Sequence, residues 1–305
     1  MGKINDTEID ILLQRAFSSE DPEEIDKIAR QVLQSDPDNP EAMVLIADNA
    51  QDEDERIRIL QKALDIVRSS LPDTEQIDGQ SLFYDENEGI LYIAILQRLA
   101  FSFFSAGDVR QSFDMARELI DIDPDDQTFG KTLYYRCLLE MEDYDSVLRF
   151  TEQDQVQSPA RSHAKAIALF SMQGPSEEAR EALWDLFSVG PDIPFYLIGY
   201  WGEPDDEYSQ ESEDFNFSLL FEDAWNKTEA LLRWLTKATV VFGYVTERLN
   251  PDILDNMESL MEDLAINAPV PDQIRYVRNE VSEVDEVEDN ERDLRAIDLL
   301  RDLSL

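Results

Sequence analysis

Apolar residues recur at helical spacing along nearly the whole chain, and this pattern constrains the fold most strongly. In "EEIDKIARQVL", Ile25, Ile28, Ala29 and Val32 fall on one helical face, and "ERIRILQKALDIV" repeats the arrangement. Strand-like alternation is scarce. Amphipathic helices joined by short connectors lie antiparallel to their neighbours. The sequence therefore predicts an all-α fold built from αα-hairpins.

The helical hairpins repeat with a measurable period. The turn "SAGDV" (105–109) aligns with "EMEDY" (140–144) at an offset of 35 residues, and "SDPDNPEA" (35–42) resembles "DIDPDDQT" (121–128). A fixed period of this size is typical of helical-repeat proteins. We expect hairpin units near 6–37, 39–72, 88–124, 128–157 and 160–191.

The best unit resembles a tetratricopeptide repeat (TPR). The residues that carry the resemblance are Leu99, Ala100, Phe103, Ser112, Ala116 and the closing Pro124. The match is degenerate, because helix A lacks its first Trp and Ser112 stands where Ala is usual. The resemblance implies a superhelical solenoid of αα-hairpins closed by a C-terminal helical cap.

A distinct aromatic module follows the repeats. Its "P-x-x-Y-L-x-G" stretch and "A-W-x-x-T-x-A-L-x-W-L" helix resemble the C-terminal part of a group of bacterial TPR proteins of poorly defined role. The matching residues are Pro194, Tyr196, Leu197 and Gly199, then Ala224, Trp225, Thr228, Ala230, Leu231, Trp234 and Leu235. We expect this module to cap the solenoid, with an aromatic ligand pocket as the alternative.

Three regions are predicted along the chain. Repeats occupy 1–191 with an insertion loop at 73–87, and the capping module occupies 192–265 with a mobile acidic loop at 203–214. The region 266–305 is an acidic tail that ends in an amphipathic helix. Its apolar side is formed by Leu294, Ile297, Leu300 and Leu303. We expect that helix to dock on its own chain, with docking on a partner as the alternative.

A cluster of carboxylates at 121–126 suggests two interpretations. A calcium-binding EF-hand loop starting at Asp121 needs Gly at its sixth position and Glu at its twelfth. Those positions hold Asp126 and Thr132. The better interpretation is an inter-repeat turn in which Pro124 ends one helix and Asp125 or Asp126 caps the next.

The sequence offers little for catalysis. The chain has one His, His163, and one Cys, Cys137, so a catalytic triad or a Cys/His zinc site lacks partners. Neither a phosphate-binding P-loop nor a dinucleotide-binding glycine motif is present. We expect His163 to be packed or solvent-facing and Cys137 to lie in the core. The prediction is a non-enzymatic protein without metal or cofactor.

The formal net charge of the chain limits the classes of partner that it can bind. With 68 acidic and 26 basic residues, the formal net charge is −42, which disfavours nucleic acid and anionic membranes. The acidity could serve a partner or reflect a habit of the host's proteins. No signal-peptide pattern or membrane-length apolar run occurs, and we expect a cytoplasmic location.

The TPR resemblance implies a concave groove lined by helix-A positions 2, 5, 9 and 12. Transferred to this chain, they place twelve residues there: Ala94, Gln97, Phe101, Phe104, Phe129, Thr132, Arg136, Leu139, Arg161, Ala164, Ala168 and Ser171. The six principal candidates are Gln97, Phe101, Phe104, Arg136, Leu139 and Arg161. We expect an adaptor that binds a protein segment with apolar anchors and an acidic or carboxylate group, which Arg would hold. Two alternatives are that some of these residues are core, and that the chain is an acidic holder of basic proteins or a nucleic-acid mimic.

Overall fold

The computed structural model describes residues 5–71, 87–123, 126–206, 208–267, 269–282 and 289–303. Within these ranges the regular elements are α-helices and no strand occurs, which confirms the all-α prediction. The chain divides into two compact units, Met1–Cys137 and Leu138–Leu305. The predicted boundaries at 191 and 265 both lie inside the second unit.

The first unit contains six helices and most of a seventh, in which the division falls. They are α1 (Asp6–Phe17), α2 (Pro22–Ser35), α3 (Pro40–Asp48), α4 (Glu53–Ser70), α5 (Asn87–Ser105), α6 (Val109–Ile122) and α7 (Gly130–Glu140).

The second unit continues with ten further helices in its described part. They are α8 (Tyr144–Gln153), α9 (Pro159–Gln173), α10 (Glu177–Val189), α11 (Ile193–Leu197), α12 (Gln210–Trp225), α13 (Glu229–Val245), α14 (Pro251–Leu254), α15 (Met257–Asp263), α16 (Val270–Ser282) and α17 (Asp289–Leu300). Each of the five predicted hairpin ranges contains two helices, from α1 with α2 through α9 with α10.

Short polar side chains determine where many of these helices begin. An Asn, Asp, Ser or Thr side chain accepts a hydrogen bond from a backbone N–H of the first turn, which satisfies a donor that has no partner inside the helix. The capping residues are Asn5, Asp21, Asn39, Asp52, Asp108, Asp143, Ser158, Ser176, Ser209 and Thr228. Part of the chain's acidity is therefore used to start helices.

The turns at 107 and 142 share one hydrogen-bonding pattern. Gly107 donates its N–H to the Phe104 carbonyl at 3.0 Å, and Asp108 caps α6. Thirty-five residues later, Glu142 donates its N–H to the Leu139 carbonyl at 3.1 Å, and Asp143 caps α8. Gly107 has φ 80° and Glu142 has φ 57°, so both lie in the left-handed region. The 35-residue offset read from the sequence thus joins equivalent turns.

The first unit is held together by consecutive helices packing in chain order. The pairs α1 with α2, α2 with α3, α3 with α4, α4 with α5 and α5 with α6 are in contact. A Cβ at Gly130, the first residue of α7, would lie 2.8 Å from Leu119 Cβ, so the approach of α7 to α6 requires glycine. The predicted core face of α4 is buried, and so is Cys137, as expected.

The acidic segment at 121–126 forms a turn in its described part. The buried Asp123 carboxylate accepts hydrogen bonds from both the N–H and the hydroxyl of Thr128, each at 2.7 Å. Asp126 accepts from the Lys131 N–H at 2.7 Å, in the first turn of α7, as predicted for a capping residue. Pro124 and Asp125 lie outside the described residues. Asp123 and Asp126 therefore bind the chain's own backbone.

The aromatic module of the second unit is built on α12 and α13. The predicted apolar face of α13, formed by Leu231, Trp234, Leu235, Ala238 and Val241, is buried. Helix α13 contacts α9, α11, α12, α16 and α17. The module is thus central to the packing of its own unit.

The C-terminal helix docks within its own unit, as the preferred alternative predicted. Helix α17 packs on α10, α13 and α16, and Ile297, Leu300 and Leu303 are buried. Leu294, by contrast, is 44% exposed. Arg248 holds α17 through a two-pronged pair with the Asp293 carboxylate, at 2.6 and 2.7 Å.

The two predicted loops, 203–214 and 73–87, have different outcomes. We expected 203–214 to be a mobile loop, but Gln210–Asp214 form the start of α12. The reason is that Ser209 caps this helix, and Glu211 and Glu213 lie in its first turn, where negative charge is favourable. The predicted insertion loop at 73–87 lies outside the described residues except for its last residue, and 283–288 of the acidic tail also lie outside them.

Candidate functional site

His163 lies in the core of the second unit. It is fully buried, and its Nδ1 accepts a hydrogen bond from the Trp225 indole N–H at 3.0 Å. Phe217 and Phe221 contact it edge-on. Burial lowers the pKa of His163 to about 3, so the imidazole is neutral at physiological pH. His163 is therefore a packed residue, one of the two positions expected for it.

Titratable groups elsewhere in the described part of the chain do not assemble into a metal centre. Within the described ranges, no group of three or more His, Cys, Asp or Glu residues has the arrangement needed to hold a metal ion. Cys137 donates a weak hydrogen bond to the Ser112 hydroxyl at 3.3 Å. This thiol is part of the packing of α7 on α6.

Gln97 and Phe101 line an open depression in the first unit, called here the unit-1 depression. It has a volume of about 520 Å³, and it is formed by Asp48, Glu53, Arg56, Gln97, Arg98, Phe101, Ser102 and Ser105. Asp48 pairs with Arg98 at 2.9 Å, and Glu53 pairs with Arg56 at 3.0 Å. Gln97 donates to the Thr128 carbonyl at 3.0 Å. The charges of this surface are therefore matched internally.

Phe104 and Arg136 pack against each other. The Arg136 guanidinium carbon lies 5.0 Å from the centre of the Phe104 ring, which is the geometry of a cation–π contact. Only 2% of Arg136 is exposed. A guanidinium buried to this extent is not presented to a peptide carboxylate, so this residue does not take the role that we expected for it.

Arg161 forms hydrogen bonds with nearby residues of the second unit. Its Nε donates to the Thr151 carbonyl at 3.0 Å, and its Nη1 donates to the Gln157 side chain at 2.7 Å. It lines a separate depression beside α10, together with Asp185 and Leu294. The structure thus distributes the predicted groove residues among several environments.

Leu139 lies in an apolar cavity of the second unit, called here the unit-2 pocket. The pocket has a volume of about 310 Å³, at the lower end of the range for ligand pockets. Its lining is formed by Leu139, Glu142, Tyr144, Ile167, Phe170, Ser171, Ala224, Lys227, Thr228 and Leu231. Ser171, one of two further position-12 residues placed in the groove from the sequence, is therefore also here, whereas the third, Phe104, does not line this pocket.

The floor of the unit-2 pocket is buried and apolar. Leu139, Ile167, Ala224 and Leu231 are each 2% exposed. Phe170 stacks on Trp234 with 4.6 Å between ring centres, and Trp234 neighbours Trp225. Because the aromatic module stands directly behind Phe170, a side chain entering the pocket meets a floor that is already formed.

The mouth of the unit-2 pocket is polar. Glu142, Ser171, Lys227 and Thr228 are exposed. The Lys227 ammonium pairs with the Glu142 carboxylate at 2.9 Å, which links the α7–α8 turn to the α12–α13 turn. Thr228 caps α13. The site therefore combines an apolar interior with a charged rim.

Sequence reasoning missed most of this pocket. Phe170 and Ile167 follow the same helix-A face as Ser171, so the helical spacing alone could have indicated them. Lys227 and Thr228 belong to a turn that is more than fifty residues further along the chain, and no local pattern connects them to Leu139.

Comparisons with known proteins do not assign the chain to a family. No protein-family model matches the chain, and searches of curated proteins and of solved structures found no significant match. Among the helices described here, none is both long and apolar enough to cross a bilayer.

Proposed function

We propose that this chain is a non-enzymatic interaction protein that binds a segment of another protein through the unit-2 pocket. The observation that carries the proposal is the combination of a buried apolar floor with an exposed polar mouth. A preformed pocket of this kind accepts one large apolar anchor side chain, which is how many interfaces concentrate their binding energy.

The absence of an enzymatic role is part of the same proposal. His163 has no access to solvent, and its pKa is far below the physiological range. Cys137 is buried in the other unit. The chain's one histidine and one cysteine, two side-chain types often used as bases and nucleophiles, are therefore used for packing.

We also propose that the helix pairs are degenerate TPR units. The support is the repeated hydrogen-bond pattern at the Gly107 and Glu142 turns, and the burial of the small residues Ala100 and Ala116, where close helix packing needs them. In that family the helix-A face binds partners, which agrees with Leu139 and Ser171 lining the pocket.

The test is selection from a random peptide library displayed on phage, with the full chain as target. We expect the selected peptides to share a large apolar residue. The variant Ser171→Trp fills the mouth of the pocket and should weaken their binding by about tenfold or more, since an anchor of this kind contributes roughly 2 kcal/mol.

The matched control is Gln173→Trp. Gln173 is exposed on the same helix but does not line the pocket, so this variant adds the same bulk elsewhere. Fluorescence anisotropy with synthetic copies of the selected peptides gives Kd for each variant, and circular dichroism checks folding. Equal Kd values for wild type and Ser171→Trp would refute the proposed function.

A further inference from the structure

The two turns that form the mouth of the unit-2 pocket carry an excess of carboxylates. The α7–α8 turn, residues 140–145, reads "EMEDYD", and residues 222–229 around the α12–α13 turn read "EDAWNKTE". Together they contain seven exposed acids, which are Glu140, Glu142, Asp143, Asp145, Glu222, Asp223 and Glu229. We call these seven residues the acidic rim.

The acidic rim has one basic residue of its own. Lys227 is the only Lys or Arg in residues 140–145 and 222–229, and it is already paired with Glu142. An acidic segment entering the pocket would approach two turns in which exposed carboxylates outnumber Lys and Arg by seven to one. Like charges at this range repel, and an apolar anchor would have to overcome that repulsion.

Several arginines elsewhere in the second unit bind within their own chain. Arg248 is held by Asp192 and Asp293, and Arg301 is held by Asp185. Arg233 donates to the Asp263 carbonyl at 3.1 Å. Intramolecular contacts therefore use much of the cationic surface, while the acidic rim stays exposed.

We propose that the occupant of the unit-2 pocket is a basic protein segment, in which a large apolar residue is flanked by Lys or Arg. This inference rests on the proposed function, because it needs the pocket to be the binding site. The apolar residue enters between Leu139 and Leu231, and the flanking cations lie against the acidic rim. The partner's charge is thus opposite to the acidic or carboxylate-bearing segment expected from the sequence, since Arg136 is buried and Arg161 is bound.

The experiment uses a peptide selected on the full-length chain, resynthesised with Lys, Gln or Glu beside its apolar anchor. We expect the Lys-flanked peptide to bind about tenfold more tightly than the Gln-flanked one at low ionic strength, and the Glu-flanked one to bind most weakly. The difference should shrink as salt is added, because exposed charges are screened.

A variant with three neutralised carboxylates tests whether the flanking cations of the peptide lie against the acidic rim. Asp145→Asn, Glu222→Gln and Asp223→Asn together neutralise three rim carboxylates that neither line the pocket nor cap a helix. This triple variant should remove most of the preference for Lys over Gln. The control triple variant, Glu20→Gln, Asp54→Asn and Asp65→Asn, neutralises three exposed carboxylates of the first unit and should preserve it.

The outcomes separate the two proposals. If Ser171→Trp blocks all the peptides but Lys and Gln flanks bind equally, the pocket binds partners and the basic-segment inference is overturned. If Lys-flanked peptides bind wild type and Ser171→Trp equally, the proposed function fails. An equal loss of preference in both triple variants would show that net charge, and not the acidic rim, attracts the peptide.

Discussion

The unit-1 depression and the unit-2 pocket include corresponding helix-A faces, yet they offer different surfaces. Among the described residues that line the depression, Ser102 is the only buried one, and the acids of the depression are paired with Arg56 and Arg98. In the pocket, four apolar lining residues are buried, and the mouth is rich in acids. The buried floor of the pocket is explained by the aromatic module of α12 and α13, which packs behind its helix-A residues.

This comparison shows that a repeat position does not fix a role. Phe104 and Leu139 are both assigned to position 12 of helix A, but one packs on the Arg136 guanidinium and the other forms part of the pocket floor. The surrounding elements decide whether the position stabilises the fold or is available to a partner.

The largest expected effect comes from removing the support of the pocket. Trp234→Ala deletes the ring that stacks on Phe170, and loss of a buried Trp costs about 3–5 kcal/mol. All four tryptophans belong to the second unit, so tryptophan fluorescence during urea unfolding reports that unit selectively. We expect its transition to move to lower urea and peptide binding to be lost.

Phe101→Ala is the counterpart in the unit-1 depression. Phe101 is partly exposed, so we expect a smaller loss of stability and no change in the fluorescence transition. Similar losses of stability for Phe101→Ala and Trp234→Ala would contradict the contrast drawn between the two surfaces.

An intermediate effect is expected from protonation of His163, and this contribution to the pH dependence should be confined to the second unit, where the chain's one histidine lies. Burial lowers the pKa of His163 to about 3, whereas the unfolded chain binds this proton near pH 6.5. Because the unfolded state binds more protons, stability falls as the pH falls, by about 2 kcal/mol between pH 8 and pH 5.

The control for pH is His163→Gln, whose amide oxygen can accept the Trp225 N–H without titrating. The difference between wild type and this variant, measured by urea unfolding at each pH, isolates the histidine from carboxylates such as Asp214, whose pKa is raised by burial. A pH dependence that persists unchanged in His163→Gln would show that His163 is not its source.

The smallest effect concerns the two equivalent turns. Gly107→Ala introduces no contact within 4 Å but places a side chain at φ 80°, which should cost the first unit about 1 kcal/mol. The measurement is the urea transition seen by circular dichroism but not by tryptophan fluorescence. An unchanged transition would mean that this turn relaxes without cost.

Glu142→Gly is the reverse change at the other turn, where φ is 57°. It relieves the same backbone strain but removes the Lys227 partner. We therefore expect the second unit to become slightly more stable.

The helices could be predicted from the sequence because their signals are local. Apolar spacing and capping residues involve neighbours along the chain, and the 35-residue offset aligns two such local patterns. The transferred register placed Leu139 and Ser171 in one surface, and both line the unit-2 pocket. The burial of Arg136 under Phe104 and the arrival of Lys227 beside Glu142 depend on tertiary packing. No spacing rule contains that information, and the acidic partner expected from the sequence stays a prediction that differs in charge from the partner proposed here.

The docking of α17 has a consequence for synthesis of the chain. The helices of the first unit contact those just made, so that unit can close as it leaves the ribosome. In the second unit, Asp293 joins Arg248 across 45 residues, and Arg301 joins Asp185 across 116. The apolar surface that α17 covers is therefore exposed to solvent until α17 has been synthesised. During this interval, chaperones would have the largest exposed apolar surface to bind.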